Sequence, residues 1–271
     1  MRSSGRFVLA AVSGLVLVFL YAPLAVVVAL SFSAANTSAH LGKWTLQWYA
    51  KLMADPVVGQ AALNSLILGL SSAFTAVVVG GAMGAGLYRL RGRRLGLVVV
   101  LVYLPLVTPD VVYGIADLGL FSRVHAWTGL LAPGLLTMFL AHVSFLIPVA
   151  ALMVFGRLVT LDERLFDAAA DLYAANPQRI WFLMLPLLVP SLIAAFLVCF
   201  TLSIDDFVIS FFTAGPSSTT LPLYVWSALK KGVTPEINAV ATLLIGIVIV
   251  LPLTATVLWH ACVSLSAAKR V

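Results

Sequence analysis

Four of the chain's ten acidic residues stand inside long apolar runs, Asp110 and Asp117 in one, Asp205 and Asp206 in another. A charge at the centre of a bilayer costs about 2.5–3.5 kcal/mol on the insertion scale. Four carboxylates there call for a compensating role or a watery path. Asp110, Tyr113 and Asp117 are spaced i, i+3 and i+7, which places them on one helical face. Neither run contains a Lys or Arg. That combination suits a path for cations, whereas a phosphate or sulfate path would want basic side chains or helix N-termini. At about 4 Å and an effective dielectric near 20, each cation–carboxylate pair contributes about 4 kcal/mol before desolvation. A polyvalent cation can pair with several.

Plainer roles compete for the same residues. Thr108-Pro109-Asp110 can cap a helix that restarts after a break. Asp205 and Asp206 lie about 100° apart around a helix and cannot both face one point. One of them could instead pair with Arg123 or Lys230, or accept from Ser203 or Ser210. His142 and His260 are expected to be packed and hydrogen-bonded in the neutral form rather than ligands, and Glu236 to be a helix-start residue.

The elements that would carry these groups follow from composition. Of 271 residues, 62% are hydrophobic and 10% charged, against about 25% charged in a soluble domain. A soluble enzyme, a disordered tail and a nucleic-acid module are excluded despite the net charge of +6. Cys199 and Cys262 both lie in apolar runs and offer neither a disulfide framework nor metal-ligand spacing. A transmembrane helix needs about 20 apolar residues, and six stretches qualify: 7–32, 61–88, 95–121, 135–155, 187–212 and 238–263. The first follows Arg2 and Arg6 but exceeds a signal-peptide core of about 7–15 residues, so it is expected to be retained. The reading is an all-α membrane protein of six spans, residues 1–271 forming a single transmembrane domain. Counted at about 1.5 Å per residue, Asp110 and Asp205 fall in the outer half of the membrane, and Asp117 nearer its outer surface.

Basic residues set the orientation. With the N-terminus inside, the inner segments hold Arg2, Arg6, Arg89, Arg91, Arg93, Arg94, Arg157, Arg164, Arg179, Lys269 and Arg270, and the outer ones Lys43, Lys51, Arg123, Lys230 and Lys231. Eleven against five places both termini in the cytoplasm. Outside, residues 41–55 carry Trp44, Trp48, Tyr49 and Leu52 near helical spacing, a short interfacial helix. A second is predicted within 214–237, opened by Pro222 and closed by Gly232, with Thr234 capping and Pro235 starting the sixth span.

The inner segment 158–186 is too long for a plain connector. Thr160 or Asp162 can cap a helix there, with Leu165, Ala169 and Leu172 on one face. Ala168-Ala169-Ala170 keeps its surface thin enough for another protein to approach closely. Asn176-Pro177 then stops this helix and starts the next, and Pro186 and Pro190 are expected to break the approach to the fifth span. The competing view is an amphipathic connector packed beneath the bundle.

Here the sequence resembles the coupling motif of ABC importer permeases: Glu-Ala-Ala, a Gly four positions on, then Ile-x-Leu-Pro. The corresponding residues are Asp167-Ala168-Ala169, Tyr173, and Leu183-Met184-Leu185-Pro186. Tyr173 departs most, because a turn needing positive φ strains any residue with a Cβ. Either the turn has moved toward Asn176 or its geometry differs. The resemblance implies that this segment docks on a cytosolic ATPase. Further on, the run from Phe200 to Ser210, Gly215-Pro216, Leu221-Pro222 and the stretch from Gly232 to Ala239 are similar to permeases of spermidine/putrescine importers. So are Tyr21-Ala22-Pro23, Trp48-Tyr49 and Pro109-Asp110. That similarity implies a type I importer fold, a second related permease chain, two ATPase subunits, a periplasmic substrate-binding protein and the bacterial inner membrane.

No phosphate-binding G-x-x-x-x-G-K-[ST] occurs, and the glycine run from Gly80 to Gly86 lacks its Lys. The chain is therefore expected to be a transport subunit rather than an enzyme, without a cofactor or metal of its own, ATP and Mg being bound by the partner ATPase. Alternatives are a cation-coupled secondary carrier or channel, which would also want intramembrane carboxylates, and an ABC permease for another substrate. An intramembrane enzyme finds little support, since no nucleophile stands at helical spacing to the carboxylates.

Overall fold

The computed structural model describes residues 2–35, 42–90, 92–230, 232 and 234–268. Leu41, Arg91, Lys231, Val233, Lys269 and Arg270, used in the topology reading, lie outside them, as do the side chains of His260 and Cys262. The described residues are all-α apart from one isolated antiparallel bridge, Ser33 with Trp44. In order they form α1 (Arg2–Ser31), α2 (Gln47–Ala54), α3 (Pro56–Arg89), α4 (Gly92–Val107), α5 (Asp110–Thr128), α6 (Leu135–Val159) and α7 (Arg164–Asp171). Then come α8 (Asn176–Gln178), a π-helix (Arg179–Met184), α9 (Leu185–Ile204), α10 (Val208–Thr213), α11 (Leu221–Leu229) and α12 (Pro235–Ala268).

Four helical stretches among the described residues are long and apolar enough to cross a membrane: Leu9–Ser31, Pro56–Arg89, Leu135–Val159 and the continuous Asn176–Ile204. The pair α4 and α5 makes a fifth only if it is one bent span. The chain is thus a multi-pass membrane protein, with four or five such spans where six are predicted. The predicted sixth is helical throughout, as part of α12, but its apolar stretch among the described residues is the shorter Pro235–Val250.

Two predicted spans are not single helices. The third, 95–121, is bent by 98° between α4 and α5. Thr108 turns its hydroxyl back on the Leu104 carbonyl, and Pro109, extended at φ −58° and ψ 136°, has no N–H to continue the ladder. Depth counted along one straight axis therefore does not apply to Asp110 and Asp117. The fifth, 187–212, is broken at 205–207 and not at its prolines. Pro186 and Pro190 sit within a helix that runs through from Asn176, and their register is accommodated by the six-residue π-helix just before them.

The chain divides into two compact units, residues 1–60 with 224–271, and residues 61–223. In the first, α12 packs against α1 and α2. Trp48 Nε1 donates to the Ser33 carbonyl at 2.7 Å, and the Tyr49 hydroxyl meets Ser31 Oγ at 2.7 Å. The predicted interfacial helix forms as α2, although Trp44 stands ahead of it, in the bridge to Ser33. Lys51 pairs with Glu236, whose carboxylate accepts its hydrogen bond and holds the ammonium above the usual lysine pKa. Gly232, at φ +119°, follows α11, and the Thr234 carbonyl accepts the Ile237 and Asn238 amides at the start of α12, as predicted.

In the second unit α6 is the axis, packed by α4, α5, α9 and α10. A Cβ on Gly80 would lie 2.6 Å from the Ile147 carbonyl oxygen, and one on Gly84 2.5 Å from that of Ala151. The glycine run that lacks a phosphate-loop lysine is therefore a close helix–helix seam. After α10 the chain is tied to α3: Asn64 Nδ2 donates to the Ser217 and Thr219 carbonyls, and the Leu221 amide donates to Ser65 Oγ.

Candidate functional site

The carboxylates expected within the membrane all lie in the second unit, on α5 and at the break after α9. Along α5, Tyr113, Asp117 and Phe121 follow at four-residue spacing, on the side that meets α6 and α10. Gly114 permits the approach, since a Cβ there would lie 2.7 Å from the Phe212 ring. Tyr113 donates its hydroxyl proton to Ser144 Oγ at 3.1 Å and packs edge-on to Phe145, the ring centroids 6.5 Å apart. Asp117 is half-buried beside them, and its Oδ2 is buried with no hydrogen-bond partner among the described residues. Asp110 does not join this group. It is exposed at the first position of α5, where its charge complements the helix N-terminus.

The two adjacent aspartates part company because α9 ends at Ile204. Asp205 is exposed at the helix C-terminus, its amide still bonded to the Thr201 carbonyl at 3.3 Å. Asp206 turns inward and is only 10% exposed. Its Oδ1 accepts the Ile209 amide at 3.3 Å and its Oδ2 the Ser210 amide at 2.8 Å, which caps the short α10. The same Oδ2 lies 3.4 Å from His142 Nε2. His142, fully buried, also meets Ser203 Oγ at 2.7 Å through Nδ1 and Ser210 Oγ at 3.0 Å through Nε2.

The expected packed and hydrogen-bonded His142 is therefore found, but not as a lone residue. The expected separation of Asp205 and Asp206 around one helix is replaced by a break between two helices. The His142–Ser203–Ser210–Asp206 cluster was missed from sequence. Its signal was two serines seven apart flanking the aspartates, with nothing in a single chain to pair them with a histidine 61 residues upstream.

The inner segment forms the expected pair of helices. Asp162 Oδ1 accepts the Arg164 amide at 3.0 Å and opens α7, while Thr160 turns back to Arg157 and closes α6. The turn after α7 has not moved toward Asn176. Tyr173 itself takes φ +55°, its amide bonding to the Ala170 carbonyl at 2.9 Å and that of Ala174 to Ala169 at 3.1 Å. That is the double hydrogen bond of a left-handed helix cap, a place usually held by Gly. The next helix starts at Asn176 rather than being capped by it, the Ala175 amide being satisfied by Gln178 Oε1 at 2.8 Å.

On α7 only Phe166 is anchored by a ring contact, 6.3 Å from Tyr88. Asp167 borders a cavity of about 370 Å³ with Arg89 and Arg179 among its walls. Asp167, Ala168 and Leu165 are exposed and Ala169 is half-buried, while Leu172 is 82% and Tyr173 95% exposed. Leu183 and Leu185 are half-buried and Pro186 exposed, in and just beyond the π-helix. The exposed surface of this short helix thus mixes the charges of Arg164, Asp167 and Asp171 with small alanines, followed by the apolar Leu172 and Tyr173.

The sequence pattern of binding-protein-dependent transport system inner membrane components matches residues 76–263. The putrescine transport system permease protein PotI of Escherichia coli K12 is 38% identical over 233 residues, 85% of this chain and 83% of that one. The spermidine/putrescine transport system permease protein PotC of Haemophilus influenzae is 34% identical over 227 residues, 84% of this chain and 86% of that one. In fold, a chain from a bacterial ABC transporter involved in the import of the acidic polysaccharide alginate matches with a TM-score of 0.77. The two are 15% identical, with 96% of each chain covered. A chain of the inward-facing MetNI methionine ABC transporter matches at 0.64, with 18% identity, 76% of this chain and 95% of that one. With its helical fold and this likeness over most of its length, the chain belongs to the family of binding-protein-dependent transport system inner membrane components.

Proposed function

We propose that this chain is the membrane-spanning permease subunit of an ATP-driven importer that carries putrescine or spermidine into the cell by alternating access. The observation that carries the cation part is the exposed carboxylate of Asp205 at a break in an apolar helix, in a span without Lys or Arg. An ammonium group offers several N–H donors, and an exposed carboxylate inside a span suits one. Asp117 adds a second carboxylate in the same unit, its buried Oδ2 without a hydrogen-bond partner among the described residues. The names of the relatives, putrescine and spermidine/putrescine permeases, support the same substrate class.

The assembly consists of this chain, a second related permease, two ATPase subunits and a periplasmic binding protein, in the inner membrane with both termini in the cytoplasm. The α7 helix, with exposed Asp167, Leu165 and Leu172, is the face that meets the ATPase. ATPase closure moves α7, and α8, the π-helix and α9 carry that motion to Asp205 in one continuous helical stretch. The ATP chemistry belongs to the partner.

Growth rescue of a polyamine-requiring strain tests this reading, with the cognate ATPase present or deleted. Rescue that needs the ATPase is expected. Rescue without it would replace the importer with a secondary carrier, and absence of rescue alongside binding-protein-stimulated ATPase would replace the substrate.

A further inference from the structure

The break that exposes Asp205 is not made by proline or glycine. Sharp departures from helix are normally made by Pro, Gly, a π-bulge or an inserted side chain, and the run from Phe200 to Ser210 contains neither Pro nor Gly. The prolines of this span, Pro186 and Pro190, lie in helix that stays continuous to Ile204. What does occur at the break is an imidazole from another helix. His142 on α6 bonds Ser203 in the last turn of α9 with one ring nitrogen, at 2.7 Å. With the other it bonds Ser210 in the first turns of α10, at 3.0 Å, and faces Asp206 Oδ2 at 3.4 Å. Ser203 is 3% exposed and Ser210 and His142 are fully buried. Within the protein Asp206 supplies the remaining acceptor, taking the two amides that α10 would otherwise leave unbonded at its start.

We infer that His142 is a positioning residue: it clips the ends of α9 and α10 together across the break, holds Asp206 inward as the cap of α10, and so leaves Asp205 as the carboxylate that faces the path. The inference rests on the proposed cation path, but the clip itself does not. If the imidazole is removed without loss of volume, the buried Ser203 and Ser210 hydroxyls lose their ring partner and Asp206 keeps only its two amides. The two hydroxyls can then be satisfied by carbonyls four residues back if the break closes into continuous helix, which rotates Asp205 and Asp206 together to new directions.

The test uses the complete complex in proteoliposomes, with Cys199 and Cys262 replaced by Ala and Asp205→Cys as a reporter. The reporter is labelled by a membrane-impermeant cationic methanethiosulfonate, which needs no transport. Adding His142→Phe should slow labelling tenfold or more. His142→Asn, which returns one donor and one acceptor, should recover it to within about threefold. In a chain that keeps Asp205, His142→Phe should cut maximal putrescine uptake tenfold or more at saturating binding protein, and His142→Phe with Asp206→Asn should be no worse than His142→Phe alone. Labelling and uptake unchanged by His142→Phe would overturn the inference, as would effects of His142→Phe and Asp206→Asn that multiply. If His142→Phe does not assemble, His142→Asn decides: assembly with labelling still tenfold slowed shows that an ordinary core residue, not a clip, was removed. A wild-type complex that moves no diamine counts against the substrate alone, because the labelling rates are read without it.

Discussion

Asp205 and Asp206 are neighbours in sequence with opposite surroundings, one exposed at a helix end and the other 10% exposed beneath two backbone amides and an imidazole. Their replacements should therefore differ in kind. Asp205→Asn removes a charge that bonds no side chain among the described residues, so polyamine uptake should fall tenfold or more while thermal stability changes by less than about 0.5 kcal/mol. Asp206→Asn weakens a charge-assisted cap and should lower stability by about 1–2 kcal/mol, read from the melting of the purified complex. Tyr173 offers the reverse effect. It holds a left-handed conformation at 95% exposure, so Tyr173→Gly should relieve about 1 kcal/mol of strain. Slower hydrogen exchange over residues 164–174 would show it, and unchanged or faster exchange would contradict it. Which aspartate turns inward was not legible in the sequence, because the choice is made by His142 from another helix. That Tyr173 departs from a glycine position was legible, but not that the chain would keep the turn there and accept the strain.

Among the elements, the glycine seam of α3 separates packing from mere flexibility. Gly80→Ala brings a methyl to within 2.6 Å of the Ile147 carbonyl oxygen, whereas a methyl at Gly86 meets nothing within 4 Å. Gly80→Ala should cost about 1–3 kcal/mol and Gly86→Ala should be neutral or slightly stabilising, a contrast measured by thermal unfolding in detergent. Equal effects would mean that α3 and α6 do not approach so closely. Long apolar helices were legible from composition and length alone, since a run of 20 or more apolar residues has few other solutions. The inner helix pair was legible from its caps and small-residue face. Breaks were harder. Pro109 marked one, and the structure bends there by 98°. Pro186 and Pro190 suggested another that does not exist, because a π-helix takes up their register. The real one, at 205–207, carries neither Pro nor Gly, only an Asp whose capping role the sequence does not distinguish from that of its neighbour.

For the whole molecule, the proposed function separates where the cation passes from where energy enters. Asp205, Asp117, the His142 cluster and α7 lie in one unit, and the stretch from Asn176 to Ile204, which begins just after α7, is continuous up to Asp205. Asp167→Ala should then leave the complex assembled but lower binding-protein-stimulated ATPase and uptake together, whereas Asp205→Asn should separate them. The most direct measurement is ATP-dependent uptake of radiolabelled putrescine and spermidine into proteoliposomes holding the full complex and its binding protein. Wild type and Asp205→Asn would be run side by side, with ATP hydrolysis recorded in the same samples. The account predicts uptake by wild type, and tenfold or greater loss in Asp205→Asn while stimulated hydrolysis stays within about twofold. Undiminished uptake by Asp205→Asn, or a wild-type complex that hydrolyses ATP on demand yet moves neither polyamine, would contradict it.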